Sequence, residues 1–483
     1  MKTIPIKQPL VVTVLSLTLA SCALMKPYKQ PDITSDKLYR GVQTADSSTL
    51  ASLSWREMFT DPKLQQLIEQ GINNNLDLKI AVTRLQTAQA NLQQSRLALL
   101  PSLSVGPQYT RSKSSSAQIR SFGIGSTSTG STGTTETTTL SLPTVDIYAL
   151  LGSASWEADI WGKLRSTKRA YLASLLQSEA YKRAVQTQLI ADIATNYYTL
   201  LAYDKQLAIT EQTLKNRLAD VETMKALKQG DVVTGADVVQ SEANRYSAEV
   251  AIPDLKRSIR ETENALSILL STEPDSILRT RLDDQHPVTS LQTGLPAQLL
   301  ANRPDVQQAE LSFRNAFELT NVARTYFYPS LIITGSAGWA TASTLKGFFD
   351  GTFYGSLVAG LTQPIFNKGL NTQRLRTAEN TQAEAFYTFQ STVLTAGQEV
   401  SNALYSYQMA VEKSGSRQLQ LQSLEKAVDF TKELLRYTTS TNYNDVLTSE
   451  QNLLTAQLNG VNDRLQQLLA TVTLYRALGG GWR

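Results

Sequence analysis

The chain has 483 residues, with 46 Lys+Arg against 42 Asp+Glu, 41% apolar and 18% charged side chains. One His and one Cys exclude an internal disulfide, a zinc-finger cluster, a two-histidine metal site and a Cys-Cys redox pair. A net charge of +4 with no dense Lys/Arg block gives no footprint for nucleic acid. Gln, Asn, Ser and Thr carry much of the polar surface, a composition that suits long helices or a lumen lining better than a compact enzyme.

At the N-terminus, Lys2 and Lys7 precede an apolar run from Leu10 to Ala20 that ends in small residues, the pattern of a secretory signal over 1–21. The run is too short for a membrane-spanning helix, which needs ~20 residues. Leu19-Ala20-Ser21-Cys22 resembles the bacterial lipobox, and the single cysteine of the chain stands at the position where that motif attaches a lipid. Residues 22–54, with Pro27 and Pro31, read as a lipidated tether to the body.

From residue 55 onward no run of 18 or more apolar residues occurs, and seven-residue spacing takes over. Leu78, Leu85, Leu92 and Leu99 form one series; Leu200, Leu207, Leu214 and Val221 another; Leu447, Leu454, Val461, Leu468 and Tyr475 a third. The longest runs Phe386, Val393, Val400, Tyr407, Leu421, Val428 and Leu435, with Ser414 as its gap. A heptad repeat keeps one seam on a partner helix and imposes a coiled-coil twist. Residues 164–228 and 370–436 lack proline, so each predicts a helix of ~100 Å at the usual rise.

The chain also repeats itself, predicting one repeat over 55–280 and a second over 281–483. Leu100-Pro101-Ser102-Leu103 returns as Tyr328-Pro329-Ser330-Leu331, and Asp237-Val238-Val239-Gln240-Ser241-Glu242 as Asp445-Val446-Leu447-Thr448-Ser449-Glu450. Trp161-Gly162-Lys163 and Phe366-Asn367-Lys368 take matching places before the long helices. Each half reads helix, strand, loop, strand, very long helix, turn, helix. Pro253 predicts a kink or a stacked break in the return helix of the first half.

Strands are predicted at Ser102–Ser112, Val145–Trp156, Leu331–Thr341 and Phe353–Phe366, from alternation such as Leu103, Val105, Pro107 and Tyr109 against Ser104, Gly106, Gln108 and Thr110. About ten alternating residues fit a tilted strand of an outer-membrane barrel. Four strands cannot close a barrel in a bilayer, where every edge must be paired, so the chain is expected to oligomerise, with eight strands from two copies or twelve from three. The Ser/Thr/Gly-rich segment Ser112–Thr139 and the shorter Thr341–Thr352 become extracellular loops. The turns Gln229–Ala236 and Thr438–Asn444 lie at the far end of the long helices.

These residues resemble the bacterial outer-membrane efflux channels of the TolC and OprM type. Trp55-Arg56-Glu57-Met58-Phe59-Thr60-Asp61-Pro62 with Leu76-Asp77-Leu78 is similar to the family's opening. Leu295-Pro296-Ala297-Gln298-Leu299-Leu300 with Arg303-Pro304-Asp305-Val306 is similar to its mid-chain signature, and Leu474 to Trp482 to its ending. The resemblance implies a mainly α fold with a β-barrel part: a homotrimer in which twelve strands form a barrel in outer-membrane lipid and twelve helices a coiled-coil tunnel through the periplasm. Short helices near 40–60, 280–320 and the C-terminus would form a belt around it. It also implies passive efflux of drugs or other small solutes, received from an inner-membrane pump and a periplasmic adaptor, with no cofactor beyond the lipid on Cys22. A lipid-anchored coiled-coil scaffold or adhesin, or a protein-secretion outlet of the same fold, are the alternatives.

No catalytic or metal-binding set stands out. His286 lies in the polar segment Asp283-Asp284-Gln285-His286-Pro287 and reads as a solvated loop residue, and no Ser or Cys nucleophile has a base beside it. Asp429, Glu433 and Arg436 share one helix face at i, i+4 and i+7 before the Thr438–Asn444 turn. In the family, acidic and basic residues at this place form the constriction of the resting channel, which makes these three the candidate periplasmic gate. Asp220, Glu222 and Lys225 occupy the corresponding stretch of the first half.

Overall fold

Two helices of 67 and 68 residues, α4 (Lys163–Gln229) and α7 (Leu370–Tyr437), dominate the chain. In the computed structural model, residues 25–32, 38, 50–113, 144–286, 301–342, 345, 348–350, 353–437 and 443–482 are described. The signal, Cys22, most of the tether, the Ser/Thr-rich loop, the Leu295–Leu300 signature and residues 438–442 lie outside them. Around the two long helices the order is α1 (Trp55–Met58), α2 (Pro62–Asn74), α3 (Leu76–Leu97), β1 (Ser102–Ser112), β2 (Val145–Ala158), α4, α5 (Gly235–Leu270), α6 (Pro304–Thr325), β3 (Ser330–Ala342), β4 (Phe353–Thr362), α7 and α8 (Tyr443–Ala477).

Local chemistry sets the ends of these helices. Ser54 and Glu57 cap α1 reciprocally, Glu57 Oε2 accepting from the Ser54 N–H at 2.8 Å. Asp61 caps α2 from outside, accepting from the Lys63 N–H at 2.8 Å, with Pro62 in the first position where no N–H is needed. Thr234 and Asp237 repeat the reciprocal cap at the start of α5. Both long helices start directly after a glycine with positive φ, Gly162 (78°) and Gly369 (77°). The structural counterpart of Gly162 is therefore Gly369, not Asn367 as the aligned triplets suggest.

The heptad positions are the inward ones. Leu200, Val221, Val393, Val400, Tyr407, Val428, Val461, Leu468 and Tyr475 are all buried, and Ser414, the gap in the longest series, is exposed. α5 runs unbroken through Pro253 instead of dividing there. Val238, Ser241 and Ala248 before the proline and Ile259, Leu266 and Leu270 after it are buried, so packing on both sides carries the helix past the missing hydrogen bond.

The chain divides into two compact units, one drawn from Met1–Lys29, Ala90–Leu172 and Arg314–Gln382, the other from Gln30–Gln89, Ala173–Phe313 and Ala383–Arg483. The first holds a four-stranded antiparallel sheet in the order β1-β2-β3-β4. β2 and β3 run one or two residues longer than the alternation predicts. β4 stops at Thr362 rather than Phe366, because Pro364 has no N–H to give the ladder.

The second unit is built on one large apolar core. Trp55, Phe59, Leu64 and Ile68 from α1, α2 and their junction pack with Ile190 to Leu201 of α4, Phe389 to Leu404 of α7, and Leu474 to Leu478 at the end of α8. Leu282 and Val306 join the same core, so the short elements before α3, between α5 and α6 and at the C-terminus converge on the middle of α4 and α7.

Candidate functional site

In the first unit the sheet register sorts the side chains onto two faces, since neighbours along a strand alternate. Leu103, Ala154, Gly335 and Leu357 stand in one row across the four strands, and Pro107, Leu150, Trp339 and Phe353 in another on the same face. The row between the two positions on the opposite face is Ser104, Ser153, Ser336 and Ser356, four serines in register, with Ser104 to Ser153 and Ser336 to Ser356 hydroxyls 2.8 Å apart. That face is thus apolar except at one end, where Arg111, Asp146 and Thr341 stand. The other is rich in hydroxyls, with Val145, Ile147, Leu151, Ile332, Tyr354 and Val358 as the larger apolar residues among them.

The sheet is open at both sides. β1 pairs only with β2 and β4 only with β3, leaving two free backbone edges. The apolar residues on these outer strands are bare: Leu103 is 77% exposed, Val105 70% and Leu357 79%. A soluble protein guards such edges with charge, proline or bulges. Here Pro107 and Arg111 are the sole such residues of β1, and β4 has none. Between β2 and β3 the strands approach so closely at Gly338 that a Cβ there would strike the carbonyl of Leu150.

In the second unit the turn-proximal ends of α4, α5, α7 and α8 meet around Met224, Val238, Tyr443, Val446 and Leu447. Charged groups ring this cluster. Lys225 of α4 lies 3.4 Å from Glu242 of α5, and Lys432 of α7 lies 2.5 Å from Glu450 of α8. Glu242 and Glu450 are the last residues of the two copies of the repeated Asp-Val-x-x-Ser-Glu motif, so each half ties its long helix to its return helix with the same Lys–Glu bridge.

Of the predicted gate residues, Asp429 and Glu433 are exposed on α7, and neither forms an ion pair with a residue whose side chain is described. Arg436 lies on the same helix. Asp220 turns away from Glu222 and Lys225, which pair with each other at 3.4 Å, and faces Glu450 instead. Burial and then the charge of Glu450 push the Asp220 carboxyl up from 3.8 to about 6, against the pull of Lys432 and Arg217. Tyr443, hydrogen-bonded to Ser241 at 3.0 Å, is pushed up to about 12 chiefly by burial. Sequence reading named Asp220 with Glu222 and Lys225 as one stretch and gave it no partner on another helix; the repeated motif followed by a search for its lysines would have found both bridges.

Two further polar nodes hold the second unit's core. Asp61 accepts from Tyr197 Oη (2.7 Å), Thr280 Oγ1 (2.5 Å) and Gln285 Nε2 (2.8 Å) besides its capping bond. Arg303, 8% exposed at the side chain, bridges Asp305 and Glu399 and donates to the Ala477 carbonyl. His286 is exposed and irregular, and no cluster of metal-ligating groups occurs among the described residues.

Comparison with known proteins gives a single class. The model of the outer membrane efflux protein family matches residues 67–272 and 295–480. The toluene efflux pump outer membrane protein TtgC of Pseudomonas putida is 30% identical over 99% of this chain and 96% of its own length. The pyoverdine export outer membrane protein OpmQ of the same species is 29% identical over 97% and 96%. Among solved structures, the open state of the MtrE outer membrane channel of Neisseria gonorrhoeae superposes with a TM-score of 0.82 at 26% identity, over 95% of this chain and 98% of that one. A membrane protein of Pseudomonas aeruginosa gives 0.84 at 23% identity, over 95% and 100%.

Proposed function

This chain belongs to the outer membrane efflux protein family, and from that membership we propose that three copies of it form one export duct. The protein is a passive outer-membrane efflux channel with a helical tunnel in the periplasm, and not an enzyme. The trimer is our reading of the sheet. Its apolar face is untenable in water, and its two free edges, β1 and β4, are untenable in lipid unless the strands of further copies pair with them. Three copies give twelve strands, an even number within the range of closed bacterial barrels. Closure turns the apolar face to lipid and the serine rows to the lumen.

The cargo follows from the same face chemistry together with the relatives. Among the described residues, the lumenal side of the sheet is hydroxyl-rich and bears one carboxylate, Glu157, held in an ion pair with Lys163 at 3.0 Å. Such a wall favours no charge and suits drugs or other small solutes; relatives are named for toluene efflux and for pyoverdine export. A periplasmic adaptor and an inner-membrane pump deliver them, and a lipid on Cys22 adds an anchor to the barrel. Asp429, Glu433 and Arg436 form the periplasmic constriction.

The test is complementation. Expressed with a cognate adaptor and pump in a host lacking its own outer-membrane channel, the protein restores growth in toxic organic solutes. Light scattering in detergent gives three times the mass of one processed chain. A monomer with native circular dichroism, or no restored tolerance from a correctly inserted protein, overturns the proposal.

A further inference from the structure

The two halves of the chain make the same Lys–Glu bridge near their turns, and one of the two carries an additional acid. Glu242 has Lys225 as its partner, whereas Glu450 has both Lys432 and Asp220. We propose that Asp220 and Glu450 share one proton, and that this proton fastens the turn-proximal end of α4 to α7 and α8 so that a rise in pH loosens it. The inference rests on the reading of that end as the channel's periplasmic constriction, and it adds a second control to it, inside each protomer.

The geometry asks for a proton. Asp220 Oδ2 is buried, and no donor among the described residues reaches it. Lys432 Nζ is 2.5 Å from Glu450 Oε1 and makes no ion pair with Asp220. Arg217, a turn back on α4, gives both terminal nitrogens elsewhere, Nη1 to the Asn244 carbonyl of α5 and Nη2, at 2.7 Å, to Gln451 Oε1 of α8, and its Nε, buried without a partner, does not reach Asp220 either. A buried acceptor without a donor is unfavourable, and two carboxylates within hydrogen-bonding reach repel when both are ionised. One proton between them removes both defects, giving Asp220 a donor and leaving one negative charge opposite Lys432.

Among the described side chains, the surroundings supply nothing that would do the same. From α7 come Lys432 and, beyond it, the exposed Asp429, whose charge acts on Lys432. From α8 come Glu450 and Tyr443, whose hydroxyl is bonded to Ser241. From α5, Glu242 pairs with Lys225, and Arg245 lies 3.6 Å from Glu249. The Asp220 carboxyl, held up to about 6 against an ordinary 3.8, keeps its proton in the fastened state over a range where the separated helices have lost theirs. The fastened end is therefore strongest in acid, weakens as pH rises from about 3.8 toward about 6, and is level above that. A shift of this size corresponds to roughly 100-fold in the opening equilibrium, reduced to about 10-fold by water at this half-open site.

The experiment uses the full-length protein in detergent, with Asp220→Asn and Glu450→Gln, between pH 4 and 7.5. Amide-exchange protection in 213–229 and 443–457 is expected to fall about 10-fold across the window in wild type. In Asp220→Asn, which mimics the protonated acid, protection stays level. An infrared carboxyl band titrating near pH 6 disappears in Asp220→Asn and moves to lower pH in Glu450→Gln, where burial alone still holds it up, so the assignment stands even if one variant folds poorly. Single-channel conductance follows the same step in wild type and not in Asp220→Asn. Level protection in wild type, or an unchanged step in Asp220→Asn, overturns the shared proton. A protection step with conductance that does not follow it overturns the coupling to the pore. No conductance at any pH contradicts the channel reading, while the exchange and infrared measurements still decide the proton.

Discussion

Replacing Asp61 by alanine tests how the short N-terminal helices are held to the long ones. Its carboxylate accepts from the Lys63 N–H, Tyr197, Thr280 and Gln285, tying α2 to the middle of α4 and to the 280–285 segment. The lost N-cap costs about 1 kcal/mol. Each buried donor left without an acceptor adds about 1–3 kcal/mol. Tyr197 and Gln285 can still use Thr280 Oγ1, at 3.1 and 2.9 Å, which holds the total near 3 kcal/mol. Asp61→Asn keeps the cap oxygen and is expected to lose about half of that. For a unit of this size, about 3 kcal/mol lowers the melting temperature by roughly 5 °C, readable by scanning fluorimetry in detergent.

The same residue predicts a pH signature. Burial pushes the Asp61 carboxyl up, but the bonds from Thr280, Tyr197, Lys63 and Gln285 more than offset this and leave it below its ordinary 3.8. Its contribution is therefore complete above 3.8 and is lost as pH falls through the lower folded value, so wild type and Asp61→Ala converge in acid. A shift under about 2 °C at pH 7, or Asn as harmful as Ala, would refute the node.

Cys22→Ala is expected to block lipoprotein processing while barrel assembly continues, because the barrel makes far more membrane contact than acyl chains do; labelled fatty acid on the Ala variant would contradict this. Gly338→Ala should abolish or sharply lower heat-resistant oligomer on gels, since its methyl meets the Leu150 carbonyl, whereas Gly360→Ala, with open space around its Cβ, should leave assembly intact. Asp429→Ala with Glu433→Ala is expected to raise single-channel conductance and entry of large antibiotics at unchanged oligomer yield. Equal conductance in that variant, in wild type and in the control Glu425→Ala with Lys426→Ala would reduce these charges to a solvated helix face.

The architecture was legible because heptads and alternation are periodic signals that report directly on burial. Leu200, Val393 and Leu468 stand where a seven-residue repeat puts them, and even the exposed Ser414 marked its own exception. β1 ran from Ser102 to Ser112 as its alternation said. Of the kink or break that Pro253 predicts, the break does not occur, because proline propensity is a local quantity, while the buried residues on both sides of it act over the whole of α5. The pairing of Asp220 with Glu450 was hidden for the same reason in reverse: the two are 230 positions apart, and helix-face spacing speaks only for neighbours on one helix. What the chain did offer was its internal repeat, in which Glu242 and Glu450 stand as equivalents and point to Lys225 and Lys432.

Planar-bilayer recording of the purified, natively folded protein tests the central claim most directly. A closed barrel with a hydroxyl-lined lumen and a helical tunnel behind it predicts discrete single-channel current steps. A sample with native circular dichroism that binds the bilayer and leaves it electrically silent, with the Asp429→Ala and Glu433→Ala changes in place as well as without them, would contradict it.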